Sequence, residues 1–80
     1  MRLEAEFTTE PFVGGGEPPA HARAALRVVE AAGLACEFGP LGTSVAGEDR
    51  ALIAALADVL AAAFEDGASR VTVQVQRAEG

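Results

Sequence analysis

Apolar and polar residues alternate one by one near both ends of the chain. In Arg2–Glu10, apolar residues and Thr9 alternate with glutamates and Thr8, and in Arg70–Arg77 valines alternate with threonine and glutamine. A period of two is typical of a β-strand with one buried face. The pattern predicts strands one and four, with these residues facing the core: Leu3, Ala5, Phe7, Thr9, Val71, Val73 and Val75.

Two segments between these strands have the spacing of amphipathic helices. The first helix is predicted from Pro19 to Ala32, with Gly33 at its exit. The second follows Asp49, the expected N-cap, and closes at Gly67. The predicted inward positions are Ala22, Ala25, Leu26, Val29 and Ala32 in the first helix, and Leu52, Leu56, Val59 and Ala63, with Ile53, Leu60 and Phe64 beside them, in the second.

A tight turn is predicted at the middle of the chain. Residues 34–38 and 43–46 have strand character, and the segment Gly39-Pro40-Leu41-Gly42 between them favours a reversal, because proline fixes φ and glycine tolerates positive φ. We therefore predict a hairpin of strands two and three. The positions of strand two expected to face the core are Leu34, Cys36 and Phe38.

The order of elements is βαββαβ, which predicts an α+β, ferredoxin-like fold in a single domain over residues 1–80. Right-handed crossovers give a four-stranded antiparallel sheet of order 4-1-3-2 with both helices on one face. The other face is not covered by helices, and it is either exposed to solvent or covered by a second sheet. It is expected to carry a polar and acidic set: Glu4, Glu6, Thr8, Glu10, Glu37, Ser44, Thr72, Gln74 and Gln76.

Composition bears on partners and on assembly. The net charge of −6 disfavours nucleic acid, whose binding depends largely on neutralising phosphates, and better suits a cationic or neutral small ligand. A chain of 80 residues buries a modest fraction of its surface, and much of its 50% hydrophobic content is alanine. The core is therefore thin, and we expect self-association to supplement it.

The cysteine content and the length of the apolar segments indicate the cellular compartment and whether the chain could span a membrane. Cys36 is the one cysteine, which excludes an intrachain disulfide. No basic-then-apolar leader precedes the first strand, so a reducing cytoplasm is the expected compartment. The longest apolar stretch, 51–64, is interrupted by Asp58 and is too short to cross a bilayer, so no membrane association is expected.

Residues that could support chemistry are few and scattered. His21 is the only histidine and has no ligand partner at helical spacing, so a structural role at the surface or half-buried is expected. Cys36 is interpreted as a small core residue. The triple glycine at 14–16 lacks a following Lys-Ser/Thr, and Glu17 would repel an anion, so we interpret it as a connection. We expect no enzyme activity, no metal and no cofactor.

Four segments together resemble a known family: Glu6-Phe7-Thr8, Gly33-Leu34, Gly39-Pro40-Leu41-Gly42-Thr43 and Gly67-Ala68-Ser69-Arg70-Val71. Over nearly its whole length the chain is similar to the thiamine-binding protein family. The resemblance implies binding of thiamine or its hydroxymethylpyrimidine moiety, a sheet face covered by a second sheet, and assembly into homodimers or homotetramers. The chain departs from the family's usual residues at Pro19, Cys36, Ala46 and Gln76.

Strands one and three are neighbours in the expected sheet, so residues far apart in sequence can form one ligand site. Glu6 would be the charge partner of a cationic ring, and the hairpin exit would orient it. The expected ligand-binding residues are Glu6, Thr8, Glu37, Gly42, Thr43 and Ser44. A small oligomeric ferredoxin-like enzyme and a regulatory or structural oligomerisation module remain alternatives, and a nucleic-acid-binding sheet is disfavoured by charge.

Overall fold

The computed structural model describes residues 1–12, 16–39 and 42–78. Its elements confirm the βαββαβ order: β1 (Arg2–Glu10), α1 (Ala20–Ala31), β2 (Ala35–Phe38), β3 (Thr43–Glu48), α2 (Asp49–Glu65) and β4 (Arg70–Arg77). The middle of the predicted turn, two glycines of the triple glycine and the last two residues of the predicted tail lie outside the described residues. No helix in the described ranges is long and apolar enough to span a membrane.

The four strands form one antiparallel sheet of order β2-β3-β1-β4, which is the predicted order read from the opposite edge. β1 lies in the middle and pairs with β3 on one side and with β4 on the other. β2 and β3 form the predicted hairpin, which Gly39 closes by donating its backbone N–H to the Gly42 carbonyl at 2.9 Å.

The core lies between the two helices and one face of the sheet. The odd-numbered residues of β1 are buried and the even-numbered ones are exposed or half-buried, as the alternation predicts. They pack with residues of both helices and of β3, and the fully buried side chains include Val29, Leu52 and Val59. Burying one large aliphatic side chain contributes roughly 1.5–3 kcal/mol, so these few residues supply much of the stability.

Several large residues predicted for the core are instead exposed. Ile53 and Phe64 are 57% and 51% exposed, and Leu60 is also exposed, because they lie about a quarter-turn around α2 from its buried line. Phe38 and Val75 are exposed because they belong to the edge strands β2 and β4, which have a neighbour on one side only. Ala32, predicted for the inward line of the first helix, lies just beyond α1 and is exposed.

The start of α2 also differs from the prediction. β3 continues to Glu48, and Asp49 is the first helical residue, so Asp49 is not the N-cap. The Glu48 side chain makes no capping hydrogen bond either. The Asp49 backbone N–H instead donates to the carbonyl of Met1 at 2.8 Å, which ties the beginning of α2 to the beginning of β1.

His21 is buried in the first turn of α1 and has the structural role that was predicted, although at greater depth. Its Nδ1 lies 2.7 Å from the Thr9 hydroxyl, and its Nε2 lies 3.1 Å from the Pro11 carbonyl. Since a carbonyl can only accept, Nε2 carries the proton and Nδ1 accepts from Thr9. The ring therefore joins the end of β1 to α1.

We predict that Thr9→Val destabilises the fold, because it keeps the shape of the side chain and removes the donor to the buried Nδ1. Leaving a buried polar atom unpaired costs about 1–3 kcal/mol. Urea unfolding of both proteins would measure the difference. Thr8→Val is the matched control, since Thr8 faces the other side of the sheet, and it should change stability by less than about 0.5 kcal/mol. Equal losses in the two variants would contradict the role given to His21.

Candidate functional site

The open face of the sheet carries a depression of about 490 Å³. It is wide at its mouth, as expected of a concavity formed on a twisted sheet that lacks a second layer. Residues of all four strands line it: Glu4, Ala5, Glu6, Ala35, Cys36, Glu37, Ser44, Val45, Ala46, Gln74 and Gln76.

The strand register builds this depression from two rows that run across the sheet. Residues directly opposite each other in antiparallel strands point to the same face. The first row is Glu37, Ser44, Glu6 and Gln74, and the second is Ala35, Ala46, Glu4 and Gln76. Each row takes one residue from β2, β3, β1 and β4 in that order, so residues at opposite ends of the chain become neighbours.

Side-chain size varies along the rows and gives the depression its shape. On β3 the rows contain only Ser44 and Ala46, and Ala35 lies beside Ala46 on β2. Longer glutamate and glutamine side chains stand on β1 and β4, and Glu37 stands on β2. Glu37 and Glu6 are two strand spacings apart, about 10 Å, with Ser44 between them. The small residues of β3 therefore form the floor, and the acidic and amide side chains form the rim.

The rim is acidic, and its lining contains no arginine or lysine. Glu4, Glu6 and Glu37 are exposed, and none of them forms an ion pair within the described part of the chain. Glu4 accepts a hydrogen bond from the Gln76 amide. The site therefore offers three carboxylates, two amides and a hydroxyl, a set that suits a cation or a group rich in N–H donors and disfavours an anion.

The structure brings together three of the predicted site residues and separates the other three. Glu6, Glu37 and Ser44 share the first row. Thr8 is half-buried on the same face, beyond the lining. Thr43 is buried on the helix side, because its neighbour in β3, Ser44, points to the open side.

Gly42 has a packing role at the start of β3. A Cβ at this position would lie 3.1 Å from both the Phe7 carbonyl oxygen and the Thr8 methyl group. These distances are shorter than most real Cβ contacts. Because glycine has no Cβ, the end of the hairpin can lie close against β1. Gly42 is thus adjacent to Thr8, and both lie outside the residues that line the depression.

Eight lining residues were absent from the predicted site: Glu4, Ala5, Ala35, Cys36, Val45, Ala46, Gln74 and Gln76. Alternation had already assigned the glutamate and the two glutamines to the open face. The missing information was the register of β4 against β1, which places Gln74 opposite Glu6 and Gln76 opposite Glu4. Three of the four departures from the family pattern, Cys36, Ala46 and Gln76, lie in the lining, while Pro19 is at the start of α1.

The histidine and the cysteine of the chain have structural contacts in the described ranges. No cluster of three or more potential metal ligands occurs among residues 1–12, 16–39 and 42–78. The imidazole of His21 uses both nitrogens in its structural hydrogen bonds. Cys36 is half-buried and packs against the core.

Comparison with known proteins supplies a family and several similar folds. A family model described as thiamine-binding protein matches residues 5–78. A Streptococcus pneumoniae protein has a similar structure, with 21% identity and a TM-score of 0.75 over 100% of this chain and 88% of its own. A candidate thiamine biosynthesis/salvage protein of Thermotoga maritima has 20% identity and a TM-score of 0.69, over 95% and 81% of the two chains.

A domain of unknown function from Bacillus cereus is also similar, at 21% identity and a TM-score of 0.70, covering 94% of this chain and 72% of its own. At these identities the solved structures support the fold alone. None of the curated proteins matches the chain.

Proposed function

Because the chain belongs to the thiamine-binding protein family, we propose that it binds thiamine or its hydroxymethylpyrimidine moiety on the open face of its sheet. The observation that carries the proposal is the depression itself. It has carboxylates and amides on its rim, a floor of small residues, and no cation in its lining. Such a site can take a flat ring that carries positive charge or N–H donors.

The chemistry of thiamine matches the groups of the rim. Its thiazolium ring is a permanent cation, and its aminopyrimidine ring carries an amino donor beside ring nitrogens that accept. Glu6 lies between Ser44 and Gln74 in the first row, where its carboxylate can accept from the amino group or offset the thiazolium charge. The side-chain amides of Gln74 and Gln76 each offer a donor and an acceptor, which complements the edge of the aminopyrimidine.

We further propose that this role is non-enzymatic. A reaction on this face would need a nucleophile or a general base held by a partner group. The proposal is supported by the exposure of the rim carboxylates and by their amide neighbours, which suit hydrogen bonding to a ligand's cationic or N–H groups. The proposal therefore concerns affinity, and its tests are binding measurements.

Glu6→Gln is expected to weaken thiamine binding by roughly ten- to a hundred-fold, because it preserves the shape of the side chain and removes its charge. A hydrogen bond to a charged group contributes about 1.5–3 kcal/mol. Calorimetric titration with thiamine and with hydroxymethylpyrimidine would measure the affinity. Glu30→Gln, an exposed glutamate on α1, changes net charge equally and should leave affinity unchanged. Equal effects would mean that only net charge matters, and no binding by the parent protein would refute the proposal.

Ala46→Leu tests whether the ligand lies in the depression. The larger side chain would occupy the floor between Ala35 and Glu4, so we expect thiamine affinity to fall by at least ten-fold with little change in unfolding temperature. Ala54→Leu makes the same change at an exposed position of α2 and serves as the control. Unchanged affinity in Ala46→Leu would place the ligand elsewhere.

We also propose that the protein is a homodimer or homotetramer. A thin core and several exposed large apolar residues, among them Ile53 and Phe64, support this assembly. Light scattering at micromolar concentration should give at least twice the mass of the 8.1 kDa chain. A monomer throughout that concentration range would contradict the assembly, and would leave the binding proposal to be decided by titration.

A further inference from the structure

Two glutamate–glutamine pairs stand side by side on β1 and β4, and they differ in whether the two side chains bond to each other. Gln76 lies opposite Glu4, and its side-chain amide donates to the Glu4 carboxylate. Gln74 lies opposite Glu6, but neither side chain forms a hydrogen bond or an ion pair with the described residues. The pair of Glu6 and Gln74 therefore keeps its donors and acceptors free for a ligand.

The two rows of the depression also differ on the other side of β1. In the second row, β3 and β2 contribute Ala46 and Ala35, which carry neither charge nor hydrogen-bonding groups on their side chains. In the first row they contribute Ser44 and then Glu37, an exposed carboxylate that forms no ion pair within residues 1–12, 16–39 and 42–78. From β4 to β2, the first row is therefore an amide, a carboxylate, a hydroxyl and a second carboxylate.

The free pair can bind the edge of an aminopyrimidine in one orientation. Such an edge has an amino donor beside a ring nitrogen that accepts. A carboxylate only accepts, so Glu6 takes the amino group, and the amide N–H of Gln74 then donates to the ring nitrogen. The charge of Glu6 thus fixes which way the ring faces along the row.

This orientation also fixes where a second ring lies. In thiamine a single methylene joins the pyrimidine to the thiazolium, from the carbon next to the one that carries the amino group. The two ring centres are therefore about as far apart as two neighbouring strands, roughly 5 Å. With the amino group at Glu6 and the ring nitrogen at Gln74, the methylene points away from β4 and across Ser44. The thiazolium then lies toward Glu37, which is about 10 Å, or two strand spacings, from Glu6.

We propose that the first row binds its ligand lengthwise across the sheet, with Glu6 and Gln74 as a subsite for an aminopyrimidine and Glu37 as a separate subsite for a linked cation. This assignment rests on the proposed function, because it takes thiamine as the ligand. It gives two exposed carboxylates different tasks. Glu6 recognises a pattern of hydrogen bonds, and Glu37 offsets a permanent charge from the edge strand β2.

Glu37→Gln separates the two tasks, because hydroxymethylpyrimidine lacks the thiazolium. Calorimetric titration should show a two- to five-fold loss of affinity for thiamine, about the contribution of an exposed ion pair, and no change for hydroxymethylpyrimidine. Glu6→Gln should weaken both ligands, since both contain the aminopyrimidine. Glu30→Gln, an exposed glutamate on α1, is the matched control and should change neither affinity. Equal losses for the two ligands in Glu37→Gln, or no loss for either, would overturn the proposal.

A thiamine analogue with an oxo group in place of the amino group tests the orientation. The exchange reverses the donor and the acceptor on the ring edge, so the ring must turn over to satisfy Glu6 and Gln74. The thiazolium of the analogue then points toward β4, away from Glu37. We therefore expect Glu37→Gln to leave the affinity for the analogue unchanged while it weakens thiamine. Equal losses for the analogue and for thiamine would contradict the assigned orientation.

Gln74→Leu tests the amide of the pyrimidine subsite, and we expect it to weaken thiamine and hydroxymethylpyrimidine alike by about two- to ten-fold. Thr72→Leu is its control, because Thr72 lies on the same face of β4 and outside the depression, and it should change neither affinity. Unchanged binding in Gln74→Leu would overturn the assignment of this subsite. No binding of either ligand by the parent protein would refute the proposed function as well, whereas tight binding with the wrong pattern of losses would overturn the subsites alone.

Discussion

The pairing of β1 with both β3 and β4 is the constraint on which the rest of the structure depends. β1 is central, so its alternation fixes which face of each neighbour is buried. Leu3, Ala5 and Phe7 meet the helices, and Glu4 and Glu6 therefore face outward. A slip of one residue would bury the glutamates under the helices, which would cost several kcal/mol per unpaired charge. The register of β1 against its two neighbours therefore determines both which residues form the core and which form the acidic face.

Much of the fold was predictable from the sequence, because its signals are local. Alternation in β1 and β4, helical spacing in α1 and α2, and glycine at the helix exits each depend on neighbouring residues, and together they permit few topologies. The exposure of Ile53 and Phe64 was harder to predict, because it depends on which side of α2 meets the sheet. The apolar residues of α2 cover a wider arc of the helix than the arc that contacts the sheet, so the sequence alone does not show which of them are buried.

Some of the expected ligand-binding residues lie in the depression and others lie outside it, and this division has a physical reason. Glu6, Glu37 and Ser44 lie together in the depression, and alternation along strands one, two and three was enough to place them on the open face. Thr43 was expected at the ligand site because the hairpin exit was treated as one unit, but successive residues of a strand face opposite ways, and Thr43 is buried on the helix side. Gln74 and Gln76 needed the β1–β4 register, which joins residues about 70 positions apart and leaves no local mark in the sequence.

The two rows of the depression also link ligand binding to the stability of the whole chain. Each row takes one residue from every strand, and its members come from both ends of the sequence. No partly unfolded form that has lost β1 or β4 retains the rim, so a ligand held there binds the native state alone. Under this linkage, free ligand stabilises the protein by RT ln(1 + [L]/Kd), about 2.7 kcal/mol at a hundred-fold excess over Kd. For a small domain with a thin core, that is a large share of the free energy that holds it folded.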